Sequence, residues 1–337
     1  MSPKDIVITC ALRTPITMAL KGGLANTSAA GLLAHVLNAI PARTKPHVED
    51  VYVGNAAGHS FANVAAKSSG LPASSLVSTI AHSRLSSAIP TAMLATAMRT
   101  GATACGVVAG VESATKDYTR RPPPRKIVGV SAGQEKEYAD RTRGAAAKAV
   151  QDRLWADMVV PVAGPVVLDP EADTAETVDK AKDEWPGGEV TEDDWLRIER
   201  DEADVDVDVD AGYVAKPADG AAAVVFMTRE KAAEVGVRPI GRLLDSEVVD
   251  GVDEVVDLLG DVGVAKDDVD VWEIHESSAS EVIDLMHKLH VSPTIVNPNG
   301  GALAVGDPAG AAGARLLGSV LASLRDIDGK YGVVLIP

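Results

Sequence analysis

The sequence predicts an α/β protein of layered sheets and helices, and two observations carry that expectation. Hydrophobic residues make up 46% of the 337 and aromatic residues only 3%. The core must therefore be filled by Ala, Val, Leu and Ile, the usual filling of sheets covered by helices. The second observation is an order of events that occurs twice. A Ser-rich turn at 83–87 leads into an apolar helix and then "RTGATACGVVAGVES"; later "NPNGGALAVGDPAG" leads into "AAGARLLGSVLASLRD" and then "IDGKYGVVLIP". Small residues at each helix start permit close approach, so two similar units whose helices meet in the middle are expected.

Taken in order, the chain opens with an apolar strand-like run carrying Cys10. "STIAHSRLSSAIPTAMLATAMRTG", 78–101, reads as a strand end, a small-residue turn and a long helix. Many enzymes present a nucleophile this way, but this turn offers only hydroxyls, one imidazole and Arg84. A buried strand beginning near Cys105 follows. From Lys116 to Asp210 the composition changes, through "TRRPPPRK", a helix-like "AGQEKEYADRTRGAAAKAVQDRLWADM" and an acidic run. This reads as an insertion packed on the first unit. Within it "DVDVDVD", 204–210, lacks the Gly and Glu of a calcium loop in either register; its period of 2 predicts a strand with one buried face. "ADGAAAVVFMTREKAAEVG" then gives a turn, a buried strand and a helix. The expected division is 1–115 with 212–236 as one half, 116–211 as the insertion, and 237–337 as the other half.

A formal charge of −16 repels phosphodiester backbones and anionic headgroups, which disfavours nucleic-acid and membrane partners. Two cysteines, Cys10 and Cys105, form neither a disulfide framework nor a zinc site. The N-terminus lacks a signal-peptide pattern, no run approaches the ~20 residues needed to span a bilayer, and the final "LIP" is no peroxisomal address. A cytoplasmic protein is expected.

Six blocks in order resemble the thiolase superfamily: "VITCALRTPI", "GVVAGVES", "ADGAAAVVFM", "VWEIHESSA", "NPNGGALAVGDPAGAAGARL" and "GKYGVVL". The resemblance runs almost end to end. It implies a duplicated five-layer αβαβα body with an inserted loop domain, a homodimer at minimum, and coenzyme A or an acyl-CoA as ligand with no cofactor required. Such enzymes work through an acyl-cysteine at a helix N-terminus, where backbone amides and the dipole favour the thiolate. A "GHP" His, a second Cys and an Asn or His of an oxyanion block complete the implied machinery.

The departures fall on that machinery. The gapless match from Thr79 to Arg99 places Arg84 at the Cys position, and a permanently protonated guanidinium cannot attack a thioester. "GHP" reads "GDP", so Asp307 stands for the His. The second Cys position falls on Pro337. His275 and Glu276 keep part of the oxyanion block, followed by Ser277 and Ser278 in place of "AF". The segment before Val255 is shortened, and Tyr213 and Ala215 replace small polar residues.

The candidate site therefore comprises Arg84, Ser83, Ser86, His275, Glu276 and Asp307. An Arg at a helix start costs about 0.3 to 1 kcal/mol unless an anion lies beside it, so an Arg84–Asp307 ion pair is expected; a substrate carboxylate is the alternative. Ser83, Ser86 and Ser87 are expected to cap backbone amides; otherwise one is a hydroxyl nucleophile with His82 or His275 as base. Cys105 reads as packing. His275 either polarises a carbonyl or is a hydrogen-bonded interior histidine. Lys116, Arg120, Arg121, Arg125 and Lys126 read as a solvated basic loop, or as a receiver of a nucleotide phosphate. No phosphate loop or metal cluster is evident.

These readings predict a degenerate thiolase-like protein without covalent acyl transfer. It would serve as a scaffold or partner subunit, beside an active thiolase or a small acyl-CoA-binding protein, or as an acyl-ligand binder. The alternative is a repurposed enzyme using His275, Glu276, Asp307 and a nearby Ser for retro-aldol cleavage, decarboxylation or hydrolysis. An acetyl-CoA acetyltransferase using Ser ranks last.

Overall fold

The computed structural model describes residues 2, 4–20, 22–58, 61–116, 127–162, 213–249 and 251–337. The predicted 204–210 strand and the cationic residues Arg120, Arg121, Arg125 and Lys126 lie outside them. The first half contributes β1 (Ile6–Arg13), β2 (Thr17–Met18), α1 (Ala29–Asn38), β3 (Asp50–Asn55), α2 (Ala62–Ser68), β4 (Leu76–Ile80), α3 (Ile89–Thr100) and β5 (Cys105–Ser113). After α4 (Ala132–Gln151) it is completed by β6 (Ala218–Thr228) and α5 (Arg229–Val235). Then come β7 (Gly241–Arg242), α6 (Val252–Asp261), β8 (Val271–Ile274), α7 (Ala279–Leu289), α8 (Ala302–Val305), α9 (Ala312–Ile327) and β9 (Gly332–Leu335).

The first sheet has the order β4-β3-β5-β6-β1-β7, with β2 paired to β6. Its centre is β5 and β6, antiparallel from Cys105 opposite Met227 to Ser113 opposite Asp219. Every residue of β5 is buried. That explains why "CGVVAGVES" shows no alternation: both faces of the sheet are covered, so neither can be polar. Leu32, Leu33, Val36 and Leu37 of α1 fill one side with Val107 and Val225; Leu94, Ala95 and Met98 of α3 fill the other with Val108 and Phe226. β7 extends this sheet by pairing with β1, although it falls beyond the boundary expected at 236.

A second sheet pairs β8 with β9 in parallel. Between the sheets lies α9, which packs on β1, β5 and β6 and also on β8 and β9. The two halves meet at their helix starts: Ser87 Oγ accepts from the amides of Gly313 at 2.9 Å and Ala314 at 3.3 Å. A Cβ at Gly313 would sit 2.7 Å from the Ala88 nitrogen, so glycine is required for that approach. The predicted meeting of the helices is thus found. The helix expected on top of the first unit, α4, begins with a capping box in which Ser131 and Gln134 bond reciprocally. It packs on α7 and α8 of the second half as well, because its Tyr138 and Thr142 hydroxyls reach a buried carboxylate there.

Candidate functional site

Four stretches converge where the halves meet. The first is a 3-10 turn, Ser83–Leu85, between β4 and α3. The second is His275 to Ser278, the bend from β8 into α7. The third is Gly306 to Pro308, after α8, and the fourth is Tyr213 to Pro217, leading into β6. Backbone pairing fixes their relation: Val214 bridges Ser278 and Pro217 bridges Asp307. The Ala215 amide donates to Ser277 O at 3.0 Å and the Asp307 amide to Lys216 O at 2.8 Å. Gly306 has a φ of 93°, and a Cβ there would lie 2.8 Å from Ala218 Cβ. Glycine is thus the residue that lets the Asp307 loop lie against β6.

His275, 1% exposed, bonds through Nε2 to Asp307 Oδ1 at 3.1 Å. Its Nδ1 lies 3.3 Å from Ser277 Oγ. A carboxylate only accepts, so Nε2 carries the proton and Nδ1 is left to accept from the serine hydroxyl. Arg84 Nη1 donates to the same Ser277 Oγ and lies 3.4 Å from Glu281 Oε2. Glu281 is in the first turn of α7, whose start is capped by Ser278 Oγ accepting from the Glu281 amide. An anion is favoured at that end of the helix, so Glu281 suits both the dipole and the cation.

Arg84 is therefore not paired with Asp307. The correction has a geometric cause: the start of α7 lies against the 3-10 turn and supplies the anion, while Asp307 is held by His275. Arg315, also buried, lies close enough to Asp307 and Glu273 that both carboxylates favour its charge, against burial, which lowers its pKa. Its Nε and Nη2 have no hydrogen-bond partner. Burial pushes Glu273 up to about 8.

The remaining candidates have other tasks. Glu276 Oε1 accepts from Tyr138 at 2.7 Å, Thr142 at 2.9 Å and Asn297 at 2.8 Å; Oε2 accepts from the Leu303 amide at 2.9 Å. This fully buried carboxylate ties α4 and the glycine loop to β8. Ser86 Oγ donates to Ser83 O and accepts from the His82 amide, and Ser87 caps α9. The expected capping role holds for both. Ser83 has a φ of 47°, a left-handed backbone uncommon for a residue with a side chain. His82 and Lys116 are exposed. Cys10 and Cys105 lie on strands, where burial raises their thiols to about 11 and about 12. Among the described residues no group of three or more His, Cys, Asp and Glu is placed to hold a metal, and no helix is long and apolar enough to cross a membrane.

Ser277 and Glu281 are the site residues that sequence reasoning missed. The signal available was "SASE", 278–281, the S-x-x-E pattern of a helix start, which sets Glu281 in the first turn of α7 beside the oxyanion block.

Residues 6–137 match the family model "Thiolase, N-terminal domain", and 230–336 match "Thiolase, C-terminal domain". The chain is 30% identical to mouse peroxisomal 3-ketoacyl-CoA thiolase A over 99% of its length and 88% of the relative's. It is also 30% identical to peroxisomal 3-ketoacyl-CoA thiolase 5 of Arabidopsis thaliana, covering 98% and 82%. Among solved structures, the dimeric peroxisomal thiolase of Saccharomyces cerevisiae superposes with a TM-score of 0.78 at 24% identity, over 100% of this chain and 95% of that one. The acetyl-CoA acetyltransferase of Bacillus anthracis does so with 0.79 at 23%, covering 98% and 95%. The fold is the duplicated five-layer arrangement that the resemblance implies.

Proposed function

The chain belongs to the thiolase family, and from that premise we propose that it binds an acyl-thioester ligand while lacking cysteine-dependent acyl transfer. One observation carries this reading. At the turn before α3, where the resemblance puts the nucleophilic thiol, stands Arg84, anchored to Ser277 and Glu281. A guanidinium has no lone pair to offer a thioester carbonyl but is a strong donor to its oxygen. Neither cysteine supplies the missing sulfur. Both are strand residues whose thiols stay protonated at neutral pH, and a thiol is a poor nucleophile.

The ligand class comes from the relatives, which are named 3-ketoacyl-CoA thiolases. The same reading makes the protein a homodimer, as the yeast neighbour is described as dimeric. A cytoplasmic site fits two free thiols, which point to an intracellular reducing compartment.

Calorimetry with coenzyme A, acetyl-CoA and acetoacetyl-CoA tests binding. Product analysis tests condensation and thiolysis, and peptide mass mapping tests acylation. Binding without either reaction, and without acyl groups on Cys10 or Cys105, is expected. Thiolysis accompanied by an acylated cysteine, or failure to bind any of the three, would overturn the reading.

A second reading, turnover by hydroxyl chemistry, is favoured by the contact of Ser277 with His275.

A further inference from the structure

We infer that Ser277 is a nucleophile, with His275 as its base, Asp307 as the positioning residue behind the base, and Arg84 as the cation beside the developing oxyanion. The reaction class is hydrolysis of an activated acyl compound, a thioester or ester. The inference rests on the reading that an acyl group is bound here.

The geometry carries it. Asp307, His275 and Ser277 form a continuous chain of hydrogen bonds, 3.1 Å and then 3.3 Å. This is a carboxylate–imidazole–hydroxyl series whose second link, at 3.3 Å, is slightly longer than the about 2.6–3.2 Å of a working nucleophile–base pair, as is common where no substrate is bound. His275 is 1% and Asp307 4% exposed, while Ser277 is only partly buried. Ser277 is thus the most exposed residue of the three. The backbone at Ser277 is held by the Ala215 amide and by the isolated bridge from Val214 to Ser278, so the bend that carries the nucleophile is anchored, as preorganisation demands. Of the hydroxyls at the turn, Ser86 and Ser87 already bond backbone groups, and no hydrogen bond joins Ser83 to His275.

The step balances without a co-reactant other than water. The Ser277 proton passes to His275 Nδ1 as Oγ bonds to the acyl carbon. The carbonyl electron pair moves onto oxygen, where the fixed charge of Arg84 stabilises it. Collapse breaks the carbon–sulfur or carbon–oxygen ester bond, and the leaving group takes the proton from Nδ1. Water then repeats the sequence on the acyl-serine, releasing the carboxylic acid and restoring the hydroxyl.

The full chain is treated with a fluorophosphonate probe, and its hydrolysis of p-nitrophenyl acetate and of acetyl-CoA is followed. One adduct per chain, mapped to Ser277, is expected. Ser277→Ala should lose the adduct and on the order of 10³-fold or more in hydrolysis, with unchanged circular dichroism. Ser277→Cys should regain turnover that iodoacetamide abolishes. Asp307→Asn should alter the pH profile of hydrolysis, which a merely structural carboxylate would leave alone. Absence of both labelling and hydrolysis in the unaltered protein overturns the inference, and so does labelling that persists in Ser277→Ala. If p-nitrophenyl acetate is hydrolysed and Ser277 labelled while no coenzyme A compound binds, the nucleophile stands and the thioester reading fails. Tight binding with Ser277 unlabelled means the opposite.

Discussion

The Arg84 guanidinium meets the Ser277 hydroxyl across the boundary between the two halves, with Glu281 3.4 Å from the same nitrogen. A cation from the first half is thus tied to the helix start of the second. The chemistry available at the site follows from that contact, because it sets a donor where this family is expected to keep a thiol.

Restoring sulfur alone should not restore acyl transfer. Arg84→Cys places a thiol at the turn before α3, beside the backbone amides of a helix start, so alkylation by iodoacetamide is expected to map there. Condensation and thiolysis should remain absent, since Asp307 occupies the position of the implied base and is bound to His275. Removing the cation leaves the carboxylate of Glu281, 8% exposed, without that partner, a cost of about 1 to 3 kcal/mol in urea unfolding. Recovery of thiolysis in this single variant would refute the assignment of the missing machinery.

Glu276 should behave as a pillar of the fold. It accepts hydrogen bonds from α4, Asn297 and the backbone at Leu303. Glu276→Ala strands these donors in the interior, and a loss of roughly 3 to 5 kcal/mol is expected by analogy with breaking a buried charged network. Chemical denaturation measures it; a change below about 1 kcal/mol would show that water replaces the carboxylate.

The α/β class, the doubled plan and the meeting of the helices were legible because small and β-branched residues write them locally. "GVVAGVES" and "ADGAAAVVFM" read as buried strands and are found as such, and glycines such as Gly313 mark where helices touch. Arg84 and Asp307 were also legible as departures from a family pattern, and His275 as a part of that pattern that is kept. Their partners were not. Whether Arg84 meets Asp307 or Glu281 depends on where α7 begins in space, and Ser277 gains meaning only because the bend after β8 brings its Oγ back to His275. The Arg84 contacts join residues about 190 positions apart, which periodicity does not encode. The role of Glu276 depends likewise on α4, more than 130 residues away.

Stability should fall as pH rises through the neutral range. Burial raises Glu273 from 4.5 to about 8 and Asp219 from 3.8 to about 6. Each folded-state pKa lies above its unfolded value, so the native state holds protons that the unfolded chain releases. The associated stability is full below about pH 4, and is lost as pH rises to 6 for Asp219 and to 8 for Glu273. Each group contributes a slope of at most about 1.4 kcal/mol per pH unit within its window. Thermal unfolding from pH 5 to 9, on the native chain and on Glu273→Gln, should show a shallower decline between 6 and 8 in the variant. Parallel curves would mean that Glu273 is ionised in the fold, compensated by Arg315.

The seam between the halves should be the most sensitive place for a single methyl group. Gly313→Ala puts a Cβ 2.7 Å from the Ala88 nitrogen and 2.9 Å from the Ser87 carbonyl carbon, contacts with backbone on which no side chain can yield. Ser87→Ala at the same seam only removes a cap from the Gly313 and Ala314 amides, a loss of about 0.5 to 2 kcal/mol. The glycine substitution should therefore cost more than the cap, reversing the usual rule that Ala stabilises a helix by about 1 kcal/mol over Gly. Displacing this seam also shifts the turn carrying Arg84 relative to Ser277, so fluorophosphonate labelling of Ser277 should slow in Gly313→Ala more than in Ser87→Ala. Equal stability of the glycine and alanine proteins would show that the helix starts are held apart in solution, and the contact between Arg84 and Ser277 would lose its structural basis.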